Sequence, residues 1–171
     1  MMVSIEPITP ASTVTFREVR LSALRESPSA FGSTYAEELK LSDVEWQQRA
    51  ERCSGDNSVG YLAIDSGQPC GIVACFLHPE DLTSAHLASM WVTPNYRSKG
   101  VGQLLVRTVF KWIEAHHVIT LILTVTSSND RAIRFYERLG FVKTGNIEPY
   151  PNDPALFEYE MVRFFKDIQE C

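Results

Sequence analysis

Apolar and polar positions alternate over residues 3–8, which predicts a first strand. Phe16, Val19, Leu21 and Leu24 then recur at helical spacing, until Ser27-Pro28-Ser29-Ala30-Phe31-Gly32-Ser33 breaks the pattern with turn formers. Ser42, with Glu45 three residues on, reads as the N-cap of a second helix ending near Arg52. Two strands are predicted over residues 59–65 and 71–77, with Ser66-Gly67-Gln68-Pro69 as the hairpin turn. A strand over residues 85–92 should place Leu87, Ser89 and Trp91 on one face and His86, Ala88, Met90 and Val92 on the other. Residues 103–117 form the clearest helix, with a wide stripe of Leu104, Leu105, Val106, Val109, Phe110, Trp112 and Ile113. Residues 118–125 are almost all apolar or β-branched and read as a strand buried on both faces. Ser128 or Asn129 caps a helix running to about Leu139, with Gly140 beyond its end, and strands over 141–146 and 155–163 close the chain. The order is strand, two helices, three strands, helix, strand, helix, two strands. It predicts one α/β (α+β) domain over residues 1–171, a mixed sheet of about seven strands flanked by about four helices.

Composition narrows the classes of function. The 171 residues carry a formal net charge of −5, with 44% hydrophobic and 22% charged residues. That is ordinary for a globular protein, and an acidic balance disfavours nucleic acid as a partner. The start, Met-Met-Val-Ser-Ile-Glu, lacks the charged and apolar regions of a signal peptide, and the apolar runs are too short to span a membrane. Cys53, Cys70, Cys75 and Cys171 lack zinc-ligand spacing. They read as free thiols of a cytoplasmic protein, and no metal is expected.

The chemistry lies in a glycine-bearing turn between a strand and the strongest helix, Arg97-Ser98-Lys99-Gly100-Val101-Gly102. Such a turn aims unpaired N–H groups and a helix dipole at one point, which makes an anion site. Arg97 and Lys99 can add charge from its rim, and the glycines permit close approach of a phosphate. A Walker loop is excluded because Gln103-Leu104 follows Gly102, and a dinucleotide fingerprint because position 105 is Leu.

The run from Met90 to Leu105, with its R-x-x-G-x-G core, resembles the central motif of the GNAT superfamily of acyl-CoA N-acyltransferases. The run from Asn129 to Phe141 is similar to that superfamily's second motif, N-x-x-A-x-x-F-Y-x-x-x-G-F. The resemblance implies a mostly antiparallel sheet and acetyl-CoA as cosubstrate. It places the pyrophosphate on Ser98, Lys99, Gly100, Val101, Gly102 and Gln103, beside Arg97. It lays the pantetheine arm along Met90, Trp91 and Val92, where two strands splay. It also implies a bulge near Met90 whose freed N–H polarises the thioester carbonyl.

Asn129 and Tyr136 return to nearly the same helix face, roughly 10 Å apart along the axis. Asn129 can pair with a pantetheine amide. Tyr136, a phenol of reference pKa about 10, can protonate a departing thiolate of about 8.5. Many members carry a Glu on the arm-binding strand as base, where this chain has Ser89, Met90 and Trp91. Glu37, Glu38, Asp81 and His86 are the remaining candidates, read first as solvated surface residues. Phe31, Tyr35 and Tyr150 are expected to wall the acceptor pocket. The reading is transfer of an acetyl group to a primary amine of a small molecule by direct attack. Acetylation of a protein N-terminus or lysine, and a silent acyl-CoA-binding module, are its alternatives. No nucleic acid or membrane partner is expected, and the resemblance carries an expectation of a homodimer.

Overall fold

A computed structural model describes residues 1–166. Its seven-stranded sheet comprises β1 (Val3–Pro7), β2 (Ser58–Asp65), β3 (Gln68–His78), β4 (Asp81–Val92), β5 (Thr120–Thr126), β6 (Val142–Pro149) and β7 (Phe157–Phe164). The strand order is β1-β2-β3-β4-β5-β7-β6, antiparallel except for the parallel pair β4–β5. Five α-helices accompany it: α1 (Thr13–Glu26), α2 (Tyr35–Leu39), α3 (Asp43–Arg52), α4 (Val101–Ala115) and α5 (Asp130–Arg138). This is the predicted α/β class with one helix more than expected. The extra helix is the short α2, which begins with a capping box between Thr34 and Glu37. Ser42 and Glu45 form the same reciprocal pair at the start of α3, as predicted.

Two cores sit on opposite faces of the sheet. Leu105, Val109 and Ile113 of α4 are fully buried against Val73, Cys75, Leu121 and Leu123. On the other face Phe16, Val19 and Leu24 of α1 and Trp46 of α3 pack on Leu62, Ile72 and Trp91. This second helical layer reaches only β2 to β4. For that reason β5 is not buried on both faces as predicted: Leu121, Leu123 and Val125 are buried, while Thr124 is exposed and Ile122 half-buried.

The hairpin turn is also tighter than predicted. Ser66 and Gly67 both take positive φ, and Asp65 already pairs with Gln68. That is the two-residue turn whose twist suits a hairpin. Cys53, Cys70 and Cys75 are free thiols, and Cys171 lies outside the described residues. Among the described residues no helix is long and apolar enough to cross a membrane.

Candidate active site

The site begins with a fault in β4. Ile72 pairs with Trp91 but Ala74 pairs with Ala88, so Ser89 and Met90 together stand opposite Val73. Ser89 takes φ +57, a left-handed value uncommon for serine. The extra residue is a β-bulge, and it exchanges the faces beyond it. Leu87 therefore packs in the α4 core, whereas Trp91 packs against α1 and α3. The predicted alternation, which put Leu87 and Trp91 on one face, fails here.

The second element is a splay. β4 and β5 pair only from Ser84–Thr120 to His86–Ile122, although both continue further. A cleft of about 500 Å³ opens beyond that point, with Met90, Trp91 and Val92 on one wall and α5 on the other. Arg97, Ser98, Gly100, Gly102, Gln103, Asn129 and Tyr136 line it too. These ten residues come together as the two sequence runs imply.

At the cleft mouth lies the turn into α4. Ser98 and Gly100 have φ +63 and +85, and Gly100 is the N-cap of α4. Among the described residues no acceptor takes the backbone N–H groups of Ser98 through Gln103. The two glycines serve different ends. A Cβ on Gly100 would meet nothing within 4 Å, so its role is the left-handed turn. A Cβ on Gly102 would lie 3.0 Å from Met90 Cε and 3.2 Å from Phe135 Cζ, so Gly102 lets α4, β4 and α5 meet closely.

The charge around this turn differs from the expected rim. Arg97 donates through Nε to the Val92 carbonyl at 2.9 Å and through Nη2 to Glu26 at 2.6 Å. It ties the end of β4 to α1, with Glu26 neutralising its charge. Trp91 Nε1 donates to the same carboxylate at 2.9 Å. Burial alone would raise the Glu26 carboxyl, but hydrogen bonds from Arg97, Ser27 and Trp91 and the Arg97 charge bring it down to about 2. Lys99 lies outside the cleft lining, with Nζ 5.7 Å from the centre of the Tyr96 ring. Val101 is fully buried in the core.

Two further cations reach the cleft from α5. Arg131 and Arg138 line it, and Arg131 Nη2 donates to Ser98 Oγ at 3.0 Å. The sequence reading missed both. Their signal was present, since they repeat the seven-residue interval of Asn129 and Tyr136 along the same helix.

Asn129 caps α5, its Oδ1 accepting from Ala132 N–H at 3.2 Å, which leaves its amide donors for the cleft. Tyr136 is 8% exposed and packs edge-on against Phe135 and Phe141. Burial pushes its phenol well above the usual range, so the hydroxyl stays protonated at neutral pH.

The three residues expected on the acceptor wall lie outside this lining. Tyr150 is buried and donates to the carbonyls of Phe31 and, at 3.0 Å, Pro28. Asn152 Nδ2 donates to the Gly32 carbonyl at 3.1 Å. Tyr150 and Phe31 thus fasten the loop after β6 to the segment after α1, and Ser27 and Ala30 of that segment line the cleft. Tyr35 pairs with Arg25 instead.

None of the four candidate bases lines the cleft. Glu37 caps α2, Asp81 is bonded by Thr83 and Ser84, and His86 stacks on Phe76. Glu38 is not the solvated residue expected: it is 2% exposed and paired with Arg20 and Arg49.

This arrangement is an α/β domain whose sheet opens onto a helix start with unpaired backbone N–H groups. Residues 21–141 match the family model described as Acetyltransferase (GNAT) family. The chain belongs to that family of N-acetyltransferases. It is 34% identical over 88 residues to an N-acetylaspartate synthetase of Xenopus tropicalis, covering 52% of this chain and 32% of the relative. It is 38% identical over 60 residues to a [Ribosomal protein bS18]-alanine N-acetyltransferase of Salmonella typhimurium, covering 35% and 40%. The chain therefore spans well under half the length of these relatives. The crystal structure of a PaiA N-acetyltransferase from Thermoplasma acidophilum in complex with coenzyme A shares the fold, with TM-score 0.76 at 18% identity. That match covers 96% of this chain and 100% of the other.

Proposed function

We propose that the protein transfers an acetyl group from acetyl-CoA to a primary amine of a small molecule, by direct attack in a ternary complex. The observation that carries this reading is one cleft holding three features together. They are the unpaired N–H groups of the turn that carries Ser98, Gly100, Gly102 and Gln103, the β4 edge at Met90 to Val92, and Tyr136.

The acetyl-CoA pyrophosphate sits on the turn, with Arg131 and Arg138 supplying the charge that Arg97 and Lys99 do not. The pantetheine amides pair with the β4 edge and with the Asn129 amide. The amine nitrogen attacks the thioester carbon, the C–N bond forms and the C–S bond breaks. A backbone N–H at the bulge steadies the carbonyl oxygen as it gains charge. Tyr136 donates its proton to the departing thiolate, and the proton that the attacking nitrogen loses passes through water and restores the phenol, so that the products are the amide and the free thiol.

The clasp of Tyr150 and Asn152 onto residues 28–32 supports a small acceptor. It fastens one end of the acceptor side, where an extended polypeptide would need open passage. The free thiols of Cys53, Cys70 and Cys75 suit a reducing compartment such as the cytoplasm.

Incubation with acetyl-CoA and a broad amine panel, read by thiol release, tests the reading. Turnover on small amines is the expected outcome. No turnover above hydrolysis on any of them overturns it, and turnover on a peptide array alone moves the assignment to a protein acceptor.

A further inference from the structure

Behind the bulge, on the face away from α4, lies a buried network of charge that the proposed chemistry does not use. Arg20 of α1 spends every nitrogen of its guanidinium there. Its Nε and Nη2 donate to the two oxygens of Glu38, at 3.0 and 2.9 Å. Its Nη1 donates to Ser89 Oγ, the bulge residue itself, at 3.0 Å. The Phe31 ring covers the guanidinium at 4.8 Å. Glu38 also accepts from Arg49 of α3 at 2.7 Å. The Glu38 side chain is 2% exposed and that of Arg20 12%.

A buried ion pair is a weak source of stability, because desolvation offsets much of its Coulombic gain. If it only stapled α1, α2 and α3, nothing would require it to reach β4. It does reach β4, and at the one residue of that strand with a left-handed φ. Serine adopts that conformation reluctantly, so something must hold it there. A planar fork gripped on two sides is pre-organised to do so.

We propose that Arg20 is a positioning residue: held by Glu38 and bonded to Ser89, it fixes the β4 bulge and thereby sets the Met90 and Trp91 backbone along the cleft. The inference rests on the acyl-transfer reading above. Its effect falls more on the chemical step than on acetyl-CoA binding, because the pantetheine arm feels a shift of the β4 edge while the cofactor keeps the phosphate turn and α5, which lie apart from the network.

Two variants test it. Ser89→Gly accepts positive φ without strain and removes only the tether. Arg20→Lys keeps the charge and the partner of Glu38 but cannot make all three bonds. Both are expected to lower kcat by ~10-fold or more, by the scale of a lost oxyanion donor, with KM for acetyl-CoA changed less than about threefold. Both should also move the Met90 and Trp91 backbone amide resonances in the free protein while those of β2 stay in place. Wild-type kcat and unmoved Met90 and Trp91 resonances in both variants overturn the proposal. If the wild type turns over no amine, the acyl-transfer reading fails by itself, and the resonances alone decide whether Arg20 holds the bulge.

Discussion

At the residue scale, Gly100 and Gly102 differ in what they do, and substitution should separate them. Gly100→Ala places a side chain in open space but at φ +85. It is expected to cost about 1–2 kcal/mol of stability from backbone strain, read by chemical denaturation. Gly102→Val pushes into Met90 and Phe135, both in the cleft wall. It is expected to weaken acetyl-CoA binding ~10-fold or more by calorimetry, since displaced wall atoms cost the aligned contacts of the arm. Tyr136→Phe keeps the packing against Phe135 and Phe141 and removes only the hydroxyl. A fall in kcat of about 10²-fold with little change in KM for acetyl-CoA is expected from losing a general acid. Unchanged turnover would remove Tyr136 from the chemistry. These positions were legible because both glycines and the Asn129–Tyr136 interval belong to local patterns. Arg97 was legible only as a charge. Its neutralisation by Glu26 joins residues 71 apart in sequence, and no local pattern records such a pairing.

At the scale of elements, the long helix α4 and the capped α5 were readable because their apolar spacing and caps are strong. The bulge was not readable from alternation, since one inserted residue leaves the sequence looking regular while it exchanges the faces beyond it. The short α2 escaped for a different reason: it has five residues, too few for periodicity, and only the Thr34–Glu37 box marks it. The contact between α1 and β4 carries a pH prediction. The Glu26 carboxyl lies at about 2 in the folded chain, below its reference value of about 4.3. Its contribution is therefore full above that reference value and is lost as pH falls through about 2. The Trp91 indole N–H resonance, which reports its bond to Glu26, should hold its position from neutral pH to about pH 4.3 and move only below it. Movement between neutrality and that point would show that the clasp is not held by an ionised Glu26.

At the scale of the molecule, the loop after β6 meets the segment after α1 beside the cleft, and no local pattern foretold it. Phe31, Tyr35 and Tyr150 were read as pocket wall from their chemistry, yet Tyr150 is 3% exposed and its hydroxyl is spent on backbone carbonyls some 120 residues away in sequence. The aromatic character was visible, and the partner was not. The consequence concerns the acceptor more than the cofactor. Tyr150→Phe leaves the ring in its buried place and deletes the bonds to the Pro28 and Phe31 carbonyls. A stability loss of about 0.5–1.5 kcal/mol is expected for the lost hydrogen bonding, because the Phe31 carbonyl keeps Asn152 Nδ2 and the Pro28 carbonyl is open to water, measured by denaturant titration. Freed from that bond, residues 28–32 no longer hold Ser27 and Ala30 at one spacing along the cleft. KM for the small amine should then rise several-fold and the range of accepted amines broaden, while KM for acetyl-CoA, which the turn and α5 set, stays near its wild-type value. A rise in KM for acetyl-CoA with the amine preference intact would place the clasp on the cofactor side and reverse the assignment of that loop.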